Sequence, residues 1–469
     1  MTKRILSLCL VLVLLLGVLA GCSKNETKTD DTDPAAQTDA ATETTSQYAY
    51  QPQYFDLPED IQWIGSTCVS GDTLYFTASV PDGGKETYTD ETGAEVSYDT
   101  YSEVIFRFDL DTGECVKLDN YVAEPVVEDP EGANGVTMGQ DGSMQVFNSS
   151  TNIQTMAPGA DGTIWLFRQT NSYADDGTEG TSISELIQLD AHGTLLRTIT
   201  PAEEEDADET DSWRYTYIDT ILSDDKGYVY TYDYQTVNVY GPDGSFVFSK
   251  SGDELNGQFC QLSESEVGIT ASSADGKMVF RQLDPETKDW GKETPISSRA
   301  WNIYPGNDVY TYFFTNNGSI FGERKDTGVV EKVVDWLACD IDSNTINNGS
   351  FGVLSDGRIV AVTYEDSADG PSRQVLVVLN RVDAASIQKK TELTLACFGL
   401  DYNLRSQIVK FNRSSADYRI VVKDYSEYAT DDDYNAGLTK LNTEIISGSV
   451  PDLIANSMLL PIRQYAAKG

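Results

Sequence analysis

A single histidine, His192, serves all 469 residues, which limits the chemistry that the chain could perform. Ser-His-Asp catalysis, Cys-His catalysis and metal sites with several histidines would all depend on this one imidazole. It follows Asp190-Ala191 and precedes Gly193, a sequence typical of a hairpin turn. We therefore predict that His192 is a surface turn residue.

Carboxylates are the other groups that could do chemistry, with 75 Asp and Glu against 33 Lys and Arg and a formal net charge of -42. Two suitably spaced carboxylates can cleave a polysaccharide without histidine. No pair stands out from this acidic background, so we predict a protein without catalytic residues. The charge also excludes nucleic acid as a partner, because binding a phosphate backbone requires a cluster of Lys and Arg.

The sequence predicts neither a metal nor a cofactor. The Asp-rich stretches 30–33 and 431–433 lack the alternating oxygen ligands, central Gly and final Glu of a calcium loop. Beyond the first 22 residues, five cysteines stand apart from one another with no Cys-x-x-Cys pair, which argues against a zinc site. We predict that most are small buried hydrophobic residues, with one disulfide as the alternative. The five cysteines are Cys68, Cys115, Cys260, Cys339 and Cys397.

The first 22 residues carry a targeting pattern. Residues 1–4 form a short basic region, and residues 5–20 are almost all apolar. The segment ends in Leu19-Ala20-Gly21-Cys22. The apolar run is shorter than the ~20 residues that cross a bilayer, so it predicts a secretory signal peptide over residues 1–21. The last four residues resemble the bacterial lipobox, which implies that Cys22 becomes a lipidated N-terminus. We expect a lipid-anchored protein on the extracellular face of the cell membrane.

Residues 22–55 are rich in Thr, Asp, Ala, Ser and Gln, which predicts a disordered tether. Residues 56–385 contain short alternating aromatic and β-branched runs that predict strands. Turns recur before six of these strands, in the later part at a spacing of about 40 to 50 residues, the period of a four-stranded propeller blade. We predict a mainly β fold, a β-propeller of six or at most seven four-stranded blades; an array of β-sandwiches is the alternative. The turns are Gly71-Asp72, Asp161-Gly162, Asp225-Lys226-Gly227, Glu266, Asn307-Asp308 and Asp356-Gly357.

Residues 390–469 have a different pattern. A near-continuous apolar run at 392–398 predicts a buried strand, and Leu404, Ile408 and Phe411 share one face of a helix. A second strand at 418–425, a second helix ending at Gly448 and a third strand at 450–454 follow. The order βαβαβ predicts a parallel sheet with right-handed crossovers.

These residues resemble the opening of the family 1 extracellular solute-binding proteins of ABC importers. The most specific match runs from Leu441 through Gly448 to Pro451-Asp452. The resemblance implies a partial periplasmic-binding-protein-like lobe that captures a small solute, in most members a sugar, for permease subunits in the membrane. It covers about 80 of the 469 residues, so we expect either a fragment of a longer chain or a shortened product, and in both cases an incomplete ligand cleft.

In such receptors the ligand lies between two lobes, at the carboxyl ends of strands. The matching positions are Phe398 and Gly399 after the first strand, and Asn456 and Ser457 after the third. The resemblance implies that Phe398 stacks on a sugar and that Asn456 bonds its hydroxyls. The residues by themselves also fit a core position for Phe398 and a turn cap for Asn456.

The favoured function is therefore the substrate-binding component of an importer, with the propeller as a binding or docking module and the membrane contacted only through the lipid. Its mechanism would be closure on a solute, without covalent chemistry. A surface interaction scaffold and a polysaccharide-acting enzyme are the alternatives. Hydrolysis of polysaccharides would identify the enzyme, and saturable sugar binding would favour the receptor.

Overall fold

The computed structural model describes residues 48–89, 93–121, 135–138, 144–147, 149–173, 180–201, 217–316, 318–346, 351–365, 373–428 and 433–455. The predicted signal peptide and Cys22 lie outside these residues. Among the described residues, no helix is long and apolar enough to cross a membrane.

Six four-stranded antiparallel sheets follow one another along the chain, and they confirm the predicted six-bladed propeller. Strand β1 (Tyr48–Phe55) comes first and belongs to the last blade. Blade 1 contains β2 (Trp63–Ser70), β3 (Thr73–Thr89), β4 (Glu95–Asp109) and β5 (Cys115–Lys117). The strands β6 (Gly135–Met138) and β7 (Met144–Phe147) form a separate hairpin.

The next three blades repeat the same order of strands. Blade 2 contains β8 (Ser149–Pro158), β9 (Ile164–Tyr173), β10 (Gly180–Leu189) and β11 (Leu195–Ile199). Blade 3 contains β12 (Thr220–Ser223), β13 (Val229–Tyr232), β14 (Thr236–Tyr240) and β15 (Phe246–Ser251). Blade 4 contains β16 (Phe259–Ser263), β17 (Glu266–Ser272), β18 (Met278–Asp284) and β19 (Asp289–Pro295).

The last two blades complete the ring. Blade 5 contains β20 (Trp301–Pro305), β21 (Tyr310–Asn316), β22 (Ser319–Arg324) and β23 (Val330–Asp335). Blade 6 contains β24 (Phe351–Val353), β25 (Ile359–Glu365), β26 (Arg373–Asp383) and, as its outer strand, β1. First strands of neighbouring blades contact each other, so they lie innermost. The connections between second and third strands, and those between blades, lie at one end, which we call the upper face.

The ring is closed by β1, which pairs antiparallel with β26 from Tyr48 opposite Asp383 to Phe55 opposite Leu376. This corrects our assignment of residues 48–55 to the tether and of the propeller start to residue 56; the rest of the predicted tether, residues 22–47, lies outside the described residues. The segment 48–55 has alternating aromatic residues, and Pro52 is tolerated because β1 is an edge strand. Its partner strand lies more than 300 residues away, so the pairing leaves no pattern in the nearby sequence.

Neighbouring blades are held together by apolar packing and by a recurring hydrogen bond. Phe76 of blade 1 packs in one buried cluster with Val360 and Leu376 of blade 6. At three junctions, a Gln or Glu side-chain oxygen accepts a hydrogen bond from the backbone amide of an Ile. The Gln or Glu lies in one blade or in the loop that enters it, and the Ile lies in the innermost strand of the next blade. The pairs are Gln374 with Ile64 at 2.6 Å, Glu103 with Ile153 at 2.5 Å and Gln258 with Ile303 at 2.9 Å.

The C-terminal segment forms a three-stranded parallel sheet in the order β28-β27-β29. Its elements are β27 (Thr391–Cys397), α1 (Tyr402–Ser414), β28 (Tyr418–Asp424), α2 (Ala436–Ile446) and β29 (Leu453–Ile454). Leu395 packs with α1 and the next residue, Ala396, with α2, so the helices cover opposite faces. The elements follow the order that the sequence pattern predicts; their membership of a solute-binding lobe stays a prediction.

The buried face of α1 differs from the predicted one. Ile408 is buried as expected, but Phe411 is 37% exposed and its neighbour Asn412 is fully buried. The Asn412 side chain accepts a hydrogen bond from the Ile420 amide at 2.7 Å and donates one to the Ile420 carbonyl at 3.0 Å. These bonds offset the cost of removing the amide from water and align α1 with β28.

Candidate functional site

The carboxyl edge of the parallel sheet brings together the ends of β27 and β28. The Gly399 amide donates to Asp424 Oδ1 over 2.9 Å, and the Ser426 amide and hydroxyl donate to the same oxygen over 2.9 and 2.7 Å. Gly399 has a φ of +77°, which glycine adopts without strain. One carboxylate therefore fixes the loops that follow both strands.

Phe398 is half-buried at this edge and packs on Tyr425, with ring centroids 5.9 Å apart and planes inclined by 28°. The two rings belong to a small apolar cluster with Ala396 and Leu441. Gly437 permits this packing, because a Cβ there would lie 2.0 Å from the Tyr425 carbonyl oxygen. The ring of Phe398 is thus positioned by the core, and its contact with a sugar stays a prediction.

The other predicted ligand residues, Asn456 and Ser457, lie outside the described residues. Gly399 lies on the predicted edge beside Phe398. Sequence reasoning missed Asp424 and Tyr425, which stand at the end of the second strand. Ligands of such sheets lie at the carboxyl ends of the strands. Applying this rule to the second strand, as well as to the first and third, would have found both residues.

A partly buried ion-pair network supports Tyr425. Its hydroxyl donates to Glu444 Oε2 over 2.5 Å, and Lys423 Nζ lies 2.8 Å from both Glu444 carboxylate oxygens. Burial opposes ionisation of Glu444, but the hydrogen bonds and charge of Lys423 outweigh it, so the Glu444 pKa lies below its usual range. Burial and the neighbouring Glu444 raise the pKa of Tyr425, which stays protonated.

The α/β segment is fastened to the upper face of the propeller by two arginines. Arg419 donates to the Ala338 carbonyl oxygen and, over 2.9 Å, to Asp340 Oδ1. Arg413 donates to the Asp340 carbonyl oxygen over 2.9 Å and to the Tyr54 hydroxyl, and its guanidinium lies 4.4 Å from the centre of the Tyr54 ring. Burial raises the pKa of Tyr54 to about 12, although Arg413 lowers it.

An apolar contact accompanies these polar ones. Leu337, in the short 3-10 turn after blade 5, packs in one cluster with Leu395, Ile408 and Val409 of the α/β segment. The turn ends at Asp340 with a left-handed φ of +57°, which directs both the carbonyl and the carboxylate of Asp340 towards the arginines. The described α/β elements and the propeller therefore share a packed interface.

Carboxylates inside the propeller are held by structural partners. Burial raises the pKa of Glu103, whose carboxylate accepts the Ile153 amide. Arg168 and Glu185 form a buried pair at 2.7 Å. Within the described ranges, no three His, Cys, Asp or Glu side chains converge on a possible metal position. His192 lies exposed in a turn, as predicted, with its amide bonded to Asp190.

The five described cysteines are free thiols. Four are buried and Cys115 is half-buried, which confirms the prediction of small hydrophobic residues. Burial raises the pKa of Cys68 and Cys260 to about 12, so these thiols stay protonated at neutral pH.

No protein-family model and no curated protein sequence matches the chain. Among solved structures it is similar to YCF48 from Cyanidioschyzon merolae, at 9% identity and a TM-score of 0.35, over 70% of this chain and 98% of that one. It is also similar to the β-propeller domain of the Trilobed protease from Pyrococcus furiosus, at 8% identity and a TM-score of 0.29, over 67% and 84%. The strand pairing of the chain itself identifies the fold: a six-bladed β-propeller followed by a parallel α/β segment.

Proposed function

We propose that the protein is a lipid-anchored cell-surface component of an ABC importer that binds a small solute, a sugar, at the carboxyl edge of its parallel sheet. Cys22 carries the lipid and supplies the contact with the membrane. The propeller serves as a binding or docking module, and permease subunits receive the solute. The cycle consists of binding and closure, with no covalent step.

One observation carries the proposal. The amide of Gly399 after β27 and the side chain of Asp424 at the end of β28 are joined by a 2.9 Å hydrogen bond, so two strand ends meet at one edge. Ligands of open parallel sheets bind at this edge, because the loops that follow the strands converge there. The lipobox resemblance of residues 19–22 adds the expected location of an importer receptor.

The interface with the propeller supports the docking role. Because Arg413 and Arg419 bond to the corner at Asp340, a motion of the propeller is transmitted to the α/β segment. A propeller that contacted a permease or a surface glycan would thereby orient the solute site.

The solute site is tested by calorimetric titration of the purified chain with mono- and disaccharides. We expect saturable binding that Asn456→Ala and Ser457→Ala each weaken by at least about tenfold. Ser449→Ala is the matched control, since this exposed serine precedes β29 at the opposite end and should leave the affinity unchanged. Equal affinities in all four proteins would refute the site.

The anchor is tested separately by feeding cells a radiolabelled fatty acid. The wild-type chain should take up label and fractionate with membranes, whereas Cys22→Ser should do neither. Label retained by the Cys22→Ser variant would show that Cys22 is not the lipidated residue.

A further inference from the structure

Two exposed tyrosines direct their hydroxyls at one carboxylate on the upper face of blade 3. Tyr217 lies in the connection from blade 2 and is 43% exposed, and Tyr234 lies between β13 and β14 and is 61% exposed. Their rings are nearly parallel, with planes inclined by 13° and centroids 6.2 Å apart. Tyr217 donates over 3.3 Å and Tyr234 over 2.5 Å to the same oxygen, Asp219 Oδ1. Aromatic surface is therefore left in water beside a carboxylate.

The buried residue Tyr232 positions this group. Its ring meets that of Tyr234 edge to face, with 5.7 Å between the centroids. Its hydroxyl donates to the Leu255 carbonyl oxygen over 3.2 Å, and its own carbonyl oxygen accepts the Asp219 amide over 2.8 Å. Because one buried residue contacts both an exposed ring and the backbone of the acid, a ligand would lose little of its binding energy to ordering the protein.

Tyr234 has a backbone conformation that glycine adopts without strain. Its φ is +74°, a value that bulky residues rarely take. Asp233 shapes the turn by accepting the amides of Gln235 and Thr236 over 2.9 and 2.6 Å. Glycine would form this turn at a lower cost, so the strained tyrosine points to a role for its ring.

The carboxylate beside the rings has little remaining capacity to accept hydrogen bonds. Asp219 Oδ2 accepts the Thr220 hydroxyl over 2.8 Å, and Oδ1 accepts both tyrosines, so three of about four acceptor positions are filled. No Lys or Arg in the described part of the chain pairs with Asp219. Burial and the charges of Asp219 and Asp233 raise the pKa of Tyr232, so two carboxylates act on the aromatic cluster. The group thus offers negative charge and aromatic faces to a ligand that needs few acceptors.

We propose that Tyr217, Tyr234 and Asp219 bind a quaternary ammonium group. The positive charge of such a group is attracted to aromatic faces and to a carboxylate. It has no N–H, so it does not need the acceptors that a primary ammonium or a guanidinium group requires. The net charge of -42 also favours cationic ligands. The site consists of propeller residues and does not depend on the function proposed for the strand edge at Gly399.

The test is calorimetric titration of the purified chain with choline, ethanolamine and 3,3-dimethylbutan-1-ol at constant ionic strength. Ethanolamine replaces the quaternary group of choline with a primary ammonium, and the alcohol is the uncharged isostere of choline. We expect saturable binding of choline and at least about tenfold weaker binding of the other two. Sedimentation with phosphatidylcholine vesicles identifies the source of the group. Vesicle binding that Tyr234→Gly abolishes would indicate a lipid headgroup, and choline binding without vesicle binding would indicate a free compound.

The variants separate the ring and the charge from the fold. Tyr234→Gly removes a ring and suits the left-handed turn, so this protein should fold and bind choline at least about tenfold more weakly. Asp219→Asn removes the charge, keeps the size of the side chain and should also weaken binding. Tyr217→Phe keeps the ring and should bind nearly as well as the wild type. Tyr418→Ala is the matched control, because Tyr418 is 47% exposed at the start of β28 and should not affect binding.

Four results would overturn the proposal. The first is absence of saturable choline binding, and the second is unchanged affinity in a folded Tyr234→Gly protein. The third is equal or tighter binding of the uncharged isostere or of ethanolamine, which would show that the quaternary charge is not what the site recognises. The fourth is binding lost in Asn456→Ala and retained in Tyr234→Gly, which would place the ligand on the α/β segment.

Discussion

Arg413 of α1 donates a hydrogen bond from Nε to the backbone carbonyl of Asp340, 2.9 Å away, and so fastens the parallel sheet to the propeller. The acceptor belongs to a corner between blades 5 and 6, 73 residues earlier in the chain. Together with the Arg419 bonds and the packing of Leu337, this contact makes the C-terminal segment a partner of the propeller rather than an independent appendage.

Replacing Arg413 with Ala should loosen the α/β segment from the propeller. The side chain is about one-third exposed, so we expect a loss of about 1 kcal/mol in unfolding free energy and faster proteolysis within residues 391–455. Arg413→Lys should not restore the wild-type behaviour. The planar guanidinium group of Arg413 donates from three nitrogens to Asp340, Glu365 and Tyr54, whereas lysine has a single ammonium nitrogen. Gln407→Ala, on the exposed side of the same helix, is the control.

Removing β1 should open the ring. A chain that starts at residue 56 loses the outer strand of blade 6 and the packing of Phe55 and Tyr54, so its unfolding free energy should fall by at least about 3 kcal/mol. Chemical denaturation measures this loss, and a synthetic peptide of residues 46–57 should restore part of it. A chain lacking only residues 23–44 should be as stable as the full one. Equal stability of the chain that starts at 56 would contradict the closure.

Replacing Glu103 with Gln should stabilise the propeller at neutral pH. Gln374 and Gln258 make the corresponding bond at two other junctions, so the amide keeps the acceptor for Ile153. Because burial raises the folded pKa of Glu103, ionisation costs stability as pH rises through its unfolded value of about 4.3. The advantage of Glu103→Gln should thus shrink below about pH 4.

Glu103→Ala tests the bond itself. It leaves the Ile153 amide without its acceptor, which should cost about 1–3 kcal/mol at any pH. Thermal melts of the wild type and both variants between about pH 4 and pH 7 measure these differences. A Gln variant that is less stable than the wild type at pH 7 would argue against the assigned role.

Glu444 should have the opposite pH dependence. Its folded pKa lies below the unfolded value of about 4.3. Its contribution to the unfolding free energy is therefore complete above that pH and disappears as pH falls through the folded value. Glu444→Gln should lower the unfolding free energy by about 1–2 kcal/mol at pH 7, since Lys423 loses its ionised partner. Denaturant titrations should show the two proteins converging below about pH 4. A difference that stays constant with pH would show that the charge of Glu444 is not what stabilises the segment.

The repeat was readable from sequence because blade turns are local. Asp356-Gly357 and Asp243-Gly244 stand out since a tight turn needs a left-handed residue, and both glycines have φ near +85°. Strand β1 was not predicted because no feature of the sequence around Tyr48 indicates that this residue pairs with Asp383. Asn412 was missed for a related reason, since its burial depends on the backbone of Ile420 in the next strand.

The sequence alone indicated a propeller of six or at most seven blades, the order of elements in the C-terminal segment, the burial of most cysteines and the exposed turn at His192. Each depends on periodicity or on residues close together in the chain. Tertiary structure alone decided which strand closes the ring, where Arg413 docks, and that Trp63 and Tyr364, 301 positions apart, share one surface. Such pairs meet only when the first and last blades join, because the chain must travel round the whole ring before the two side chains come into contact.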